Sequence, residues 1–223
     1  AAKLDEYEDA DIPEDKQVNI IGIMLEAYND FSVFDTIEFE EDPYENFHEL
    51  QSQSYSGNLF TNIFAGGTVT TERAFLTGFC DPELRSTDTE SYVRYFKTQG
   101  YYTEAMHPCY GWFYNRQNIN EYLGFDNFDR YENAYSSFTQ DMTEHEMYGV
   151  FLDDYDFFDF IIEGLDNATQ NGQKYFNFSV TYQNHGPYST EDESDTEFAA
   201  WQEGYTEEEY NILNNYFYWI DKT

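Results

Sequence analysis

The run Val18-Asn-Ile-Ile-Gly-Ile-Met-Leu25 constrains the fold most. It is too continuously apolar for a strand with one wet face and too short for an independent helix. It reads as a strand covered on both faces, the pattern of an α/β sheet. Glu26 stands at its C-terminal end, where open α/β sheets usually collect their chemistry.

Beyond Glu26 the chain alternates helix and strand. A short helix over residues 44–53 precedes a candidate strand over 57–64. The stretch Gly66-Gly-Thr-Val-Thr-Thr-Glu72 then turns the chain tightly and starts a helix that Gly78 stops. Thr68 falls at or just before its first turn, where unpaired backbone N–H groups favour an anion. Thr87 and Glu90 have capping-box spacing for a helix ending near Gly100. A strand over 101–106 delivers His107, and a helix over 118–123 closes at Gly124. Residues 155–165 read as a helix with Phe158, Ile161, Ile162 and Leu165 as its buried stripe. The polar turn 166–172 leads to a strand over 175–182 and then to Gln183-Asn-His-Gly-Pro-Tyr188. Thr206 and Glu209 form a second capping box, ahead of Tyr210, Leu213, Phe217 and Ile220 on one helical face. The alternation predicts an α/β sandwich with a central, largely parallel sheet flanked by helices. Residues 1–17 read as an acidic linker, and the last helix runs into Asp221-Lys-Thr223 with no terminating signal, so 18–223 reads as the N-terminal portion of a domain cut before its fold is complete.

Charge narrows the function. The 45 acids against 10 Lys and Arg leave a net charge of −35, which repels nucleic acid. With 22 Tyr and 21 Phe the chain still has the material for a core. Cys80 and Cys109 form no C-x-x-C pattern; they could pair in an oxidising compartment or stay buried thiols. No run reaches the roughly 20 apolar residues of a membrane span, and no signal peptide is visible.

Glu26, His107 and His185 each fall just after a predicted strand, and Thr68 follows a turn between strand and helix. Read singly, Glu26 could cap a loop, either histidine could be structural, and Arg116 could brace the acidic surface. Together they offer a carboxylate and a hydroxyl for a hard divalent ion, and basic groups for phosphate oxygens.

Four blocks in order carry a resemblance: Asn19-Ile-Ile-Gly-Ile-Met-Leu-Glu26; Gly66-Gly-Thr-Val-Thr-Thr-Glu72 continuing to Leu76-Thr-Gly78; Tyr95-Phe-Lys-Thr-Gln-Gly-Tyr101 with His107-Pro108, Phe113-Tyr-Asn-Arg116 and Gly124-Phe-Asp126; and Val180-Thr-Tyr-Gln-Asn-His-Gly-Pro-Tyr188. The sequence resembles the extracellular catalytic domain of the lipoteichoic acid synthase-like phosphoglycerol transferases, of the sulfatase and alkaline phosphatase superfamily. The resemblance implies Thr68 as catalytic nucleophile, Glu26 and Thr68 as metal ligands, and His107, Tyr114, Arg116 and His185 at the headgroup. It implies Mn²⁺, with Mg²⁺ as the alternative. The implied donor is phosphatidylglycerol, with a polyglycerol-phosphate or glycolipid acceptor. It places the domain on the extracellular face of a bacterial membrane, anchored by segments absent here. Relatives continue to a Gly-Asp-His that completes the metal site, so the remainder of the domain, in this chain's continuation or a separate chain, is an expected partner. Competing readings are a phosphoethanolamine transferase or phosphatase of the same fold, and a noncatalytic headgroup-binding module. A sulfatase proper normally needs a modified Cys or Ser at the nucleophile position, and neither cysteine lies there.

Overall fold

The computed structural model describes residues 9–61, 63, 67–79, 88–136, 142–145 and 149–223, with backbone alone at 142–145 and 149–151. Residues 64–66 and 80–87, which include Gly66, Cys80 and Thr87, lie outside the described residues. The chain divides into two compact units: Ala1–Met24, Thr61–Ser137 and Phe158–Val180; and Leu25–Phe60, Phe138–Phe157 and Thr181–Thr223.

The first unit holds a four-stranded, all-parallel sheet built from β1 (Ile20–Met24), β2 (Tyr101–His107), β3 (Asn127–Arg130) and β6 (Lys174–Val180), in the spatial order β1-β6-β2-β3. Parallel neighbours need crossovers, and α2 (Thr68–Thr77), α3 (Tyr92–Thr98), α4 (Arg116–Leu123) and α5 (Asp154–Gln170) lie along them. Alternation along the strands sorts the two faces. Ala105 with Phe176, Phe178 and Val180 joins Leu76, Val93, Ile119 and Leu123 in one apolar core. The other face is polar though buried. The carboxylate of Glu104 accepts from Tyr175 Oη at 2.6 Å and Asn127 Nδ2 at 2.7 Å, and burial raises its pKa above the usual carboxylate range. A β-carbon on Gly164 of α5 would lie 2.4 Å from that tyrosine oxygen, so only glycine lets α5 approach this face.

The second unit holds α1 (Glu45–Ser52), the antiparallel hairpin of β4 (Met142–His145) and β5 (Gly149–Leu152), and α6 (Glu207–Lys222). Its core is an aromatic cluster in which Tyr44, Phe198, Tyr216, Phe217 and Ile220 are buried.

Several expectations need correction. The first strand is covered on one side only, with Ile21 40% and Ile23 43% exposed, while Ile20 and Met24 pack on the core. Residues 57–61 and 63 form no strand; Leu59 and Phe60 face solvent and no ladder partner pairs them. The N-cap of α3 is Ser91, whose hydroxyl accepts from Arg94 N. In α5 the buried positions are Asp154, Phe157, Ile161, Gly164 and Ala168, whereas Ile162 is 54% exposed. Small residues at 164 and 168 set this phase because the sheet must come close there. The helix also runs on to Gln170, through much of the expected turn. Residues 10–17, expected as part of a linker, carry a 3-10 turn at Glu14–Lys16, and Ala10 O accepts from Tyr95 Oη at 2.7 Å. Cys109 is buried.

Candidate active site

In the first unit, Gly67 takes a left-handed conformation at φ 90° and caps α2, so Thr68 is the first helical residue. A β-carbon on Gly67 would lie 2.5 Å from Ile63 Cγ2. Glycine is therefore required by both backbone and space. Thr70 N and Thr71 N donate to Gly67 O, while the earlier N–H groups of the helix have no carbonyl partner within it. Thr68 is half-buried at this positive end.

One turn later Glu72 is buried, and its Oε2 receives Arg116 Nε at 3.3 Å and Nη2 at 3.2 Å. Arg116 is only 2% exposed and opens α4. The structure thus gives Arg116 a bracing partner inside the protein, and its Nη1 makes no hydrogen bond among the described residues. His107 ends β2, and its Nδ1 lies 2.9 Å from Val180 O. A carbonyl only accepts, so Nδ1 carries a proton and Nε2 of the neutral ring is an acceptor. Glu72, His107 and Arg116 line a common void of about 10 Å³, enough for one water and too small for a phosphoryl group.

Tyr114 is exposed, and its ring centroid lies 5.6 Å from the Arg116 guanidinium carbon. Tyr114 and Asn115 are successive left-handed residues, at φ 52° and 59°. Non-glycine residues adopt this conformation at a cost, and here Arg73 holds it by donating from Nη2 to Tyr114 O at 2.8 Å. Motif order does not single out Arg73, although in a chain with 10 Lys and Arg each internal cation is a signal.

Glu26 and His185 belong to the second unit. Glu26 is 8% exposed, and its N–H donates to Thr181 Oγ1 at 3.0 Å. Among the described residues its carboxylate makes no hydrogen bond or ion pair. Ala27 comes next at φ 56°. The ring of His185 stacks on Tyr182 with centroids 5.1 Å apart, and its Nδ1 lies 2.7 Å from Gly186 O. Beside it, Gln183 Oε1 accepts from Asp154 N at 2.8 Å, and Asn184 Nδ2 donates to Thr223 Oγ1 at 2.7 Å. Thr223 Oγ1 donates to Asp154 Oδ2 at 3.2 Å. Burial raises the Asp154 carboxyl to about 7 against that hydrogen bond.

A buried carboxylate without a counter-charge fits a hard cation, and Glu26 supplies one. Among the described residues there is no group of three or more His, Cys, Asp or Glu that could hold a metal ion. No described helix is long and apolar enough to cross a membrane.

Residues 18–223 match the Sulfatase family. Over 180 residues the chain is 32% identical to a Rhizobium meliloti (strain 1021) protein assigned to cyclic beta-1,2-glucan modification, covering 76% of this chain and 26% of that protein. It is 26% identical over 189 residues to the lipoteichoic acid synthase of Staphylococcus saprophyticus, covering 80% and 28%. Among solved structures, the phosphoglycerol transferase GacH of Streptococcus pyogenes, in complex with sn-glycerol-1-phosphate, aligns with a TM-score of 0.72 at 21% identity, covering 92% of this chain and 54% of that one. The lipoteichoic acid synthase LtaP of Listeria monocytogenes aligns at 0.68 and 20% identity, covering 92% and 49%. These two likenesses show the fold. The chain spans about a quarter of the curated relatives and about half of these solved chains. This chain belongs to the Sulfatase family.

Proposed function

We propose that the chain is the nucleophile-bearing part of a phosphoglycerol transferase that acts through a threonine-linked intermediate. The observation that carries this reading is Thr68 as the first residue of α2, behind a left-handed Gly67 and next to N–H groups that have no carbonyl partner within the helix. In the first step Thr68 Oγ1 bonds to the phosphorus of phosphatidylglycerol, and the bond from phosphorus to the diacylglycerol oxygen breaks. The threonine hydroxyl gives up its proton, diacylglycerol leaves with a proton, and glycerophosphate stays on Thr68. In the second step an acceptor hydroxyl bonds to phosphorus and frees the threonine.

A divalent ion held in part by Glu26 and Thr68, Mn²⁺ in this reading and Mg²⁺ as its nearest substitute, would supply the charge that makes the hydroxyl acidic enough to attack. Arg116 offers guanidinium donors to phosphate oxygens and Tyr114 borders the glycerol. His107 and His185 have their Nδ1 protons committed to carbonyls, so each donates to phosphate from Nε2 only when doubly protonated. A site accepting phosphatidylglycerol implies an extracellular face and a membrane anchor outside this chain.

For the acceptor, the Rhizobium relative's assignment to glucan modification favours a second reading beside polyglycerol phosphate, a neutral glucan.

Intact mass spectrometry after mixing the complete protein, with the remainder of its catalytic domain present, with phosphatidylglycerol and Mn²⁺ tests the chemistry. A glycerophosphate adduct is expected on Thr68 and is absent in Thr68→Ala, which also loses diacylglycerol release. Near-normal turnover by Thr68→Ala rejects the assignment.

A further inference from the structure

We propose that an aromatic groove in the second unit binds a neutral saccharide as the sugar portion of the acceptor. The acceptor role rests on the transferase reading above. The groove has a volume of about 580 Å³, within the range of roughly 300–1,000 Å³ common for small-molecule sites.

Its walls are aromatic and already ordered. Tyr216 packs against Phe31, with centroids 5.2 Å apart, and edge-on against Tyr188 at 5.3 Å. Tyr205 and Leu213 line it as well. Internal hydrogen bonds lock two of the phenols: Tyr188 Oη donates to Asn184 O at 2.6 Å, and Tyr216 Oη receives Asn29 N at 2.9 Å. Preordered rings spare a ligand the entropy of arranging them.

The groove grows out of the segments that carry the candidate site residues. Ala27, a lining residue, directly follows Glu26, and its left-handed turn at φ 56° sends the chain along the groove. Tyr188 lies three residues beyond His185. A ligand here is held by the backbone that positions both of those side chains.

The polar lining selects the ligand's chemistry. Glu209 is the charged group lining the groove, and no Lys or Arg joins it. Its Oε2 accepts from Thr206 N and Oγ1, at 2.9 and 3.0 Å, and these bonds keep it ionised. An acceptor-only carboxylate repels a phosphate and welcomes hydroxyl donors. Asn29 adds an exposed amide with both donor and acceptor. Carboxylate and amide on an aromatic trough do not suit an acyl chain, whereas a sugar ring presents an apolar C–H face to the rings and hydroxyls to the rim.

Calorimetric titration of the intact protein with a neutral β-1,2-linked glucan oligosaccharide tests the assignment. Saccharide binding is expected in wild type, about tenfold weaker in Tyr205→Ala and little changed in Tyr205→Phe, which keeps the ring. Thr68→Ala is expected to bind as wild type does, because the groove does not include it. Circular dichroism with native-like signal in Tyr205→Ala ties its loss to the groove. No binding at millimolar oligosaccharide, an unaffected Tyr205→Ala, or displacement of the saccharide by phosphatidylglycerol vesicles overturns the proposal. A Thr68 adduct without saccharide binding defeats the groove alone. Tyr205-dependent binding without any adduct keeps the saccharide site and defeats the transferase reading.

Discussion

The two units hold their candidate site residues by different means. In the first, Thr68, His107 and Arg116 stand at the ends of regular elements, where the parallel ladder and helix starts fix the backbone. In the second, Glu26 and His185 sit on irregular segments: Glu26 N–H donates to Thr181 Oγ1, and next to His185 the side chains of Gln183 and Asn184 bond to Asp154 and Thr223. Ladder bonds depend little on residue type, while a side-chain network depends on every member and on its protonation. Around Glu26 and His185, sensitivity to single polar substitutions and to pH is therefore expected. The first unit has comparable weak points away from the ends of its elements, the Glu104 network on the polar face of its sheet and its buried ion pair.

Breaking that pair carries the largest expected effect. Arg116→Ala removes the guanidinium that donates to the buried Glu72 carboxylate and is expected to cost about 3–5 kcal/mol in urea unfolding, with much recovered by Glu72→Gln/Arg116→Met. A cost below about 1 kcal/mol would show that the pair is no brace.

Asp154 probes the second unit. Its folded pKa, raised to about 7, lies above its ordinary value of 3.8. Below about pH 4 both states are protonated and the contribution is fully present. It is lost as pH rises toward 7, because the unfolded state ionises first. Wild type is expected to lose a few kcal/mol over that window beyond the loss in Asp154→Asn, whose side chain does not titrate. Parallel pH profiles for the two proteins would remove the contrast between the units.

Gly67→Ala comes next. A methyl there meets Ile63 and forces a left-handed alanine, so about 1–2 kcal/mol of stability is expected to go, together with adduct formation at Thr68. A Gly67→Ala protein with wild-type stability and labelling would mean that Thr68 does not depend on this turn. The smallest change is Thr206→Ala, which removes the hydroxyl arm of the α6 cap while its backbone N–H still donates to Glu209, and is expected to cost about 1 kcal/mol by thermal unfolding. No shift in midpoint would show that the cap contributes nothing.

Much of the scaffold is legible in local chemistry. Gly78 and Gly124 end their helices in left-handed conformations, and the Thr206–Glu209 box starts α6 as expected. Motif order singles out Glu26, Thr68, His107, Tyr114, Arg116 and His185 as candidates. The small-residue face of α5 is not legible, because hydrophobicity alone favours Phe158 and Ile162 over Gly164 and Ala168. Short β3 is equally hidden: Asn127-Phe-Asp-Arg130 has little strand character until β2 offers it a ladder.

The sequence by itself determined the helix stops at Gly78 and Gly124, the start of α6 at its capping box, the strands β1, β2 and β6, and the order of the motif blocks that mark the family. These depend on residues a few positions apart, through φ preference, capping and periodicity. Only the tertiary structure decided that Arg116 answers Glu72, that His107 spends its Nδ1 proton on Val180, and that Asp154 is buried enough to titrate near neutrality. Those outcomes depend on which groups the fold removes from water together, and desolvation is a property of packed neighbours that sequence spacing does not encode.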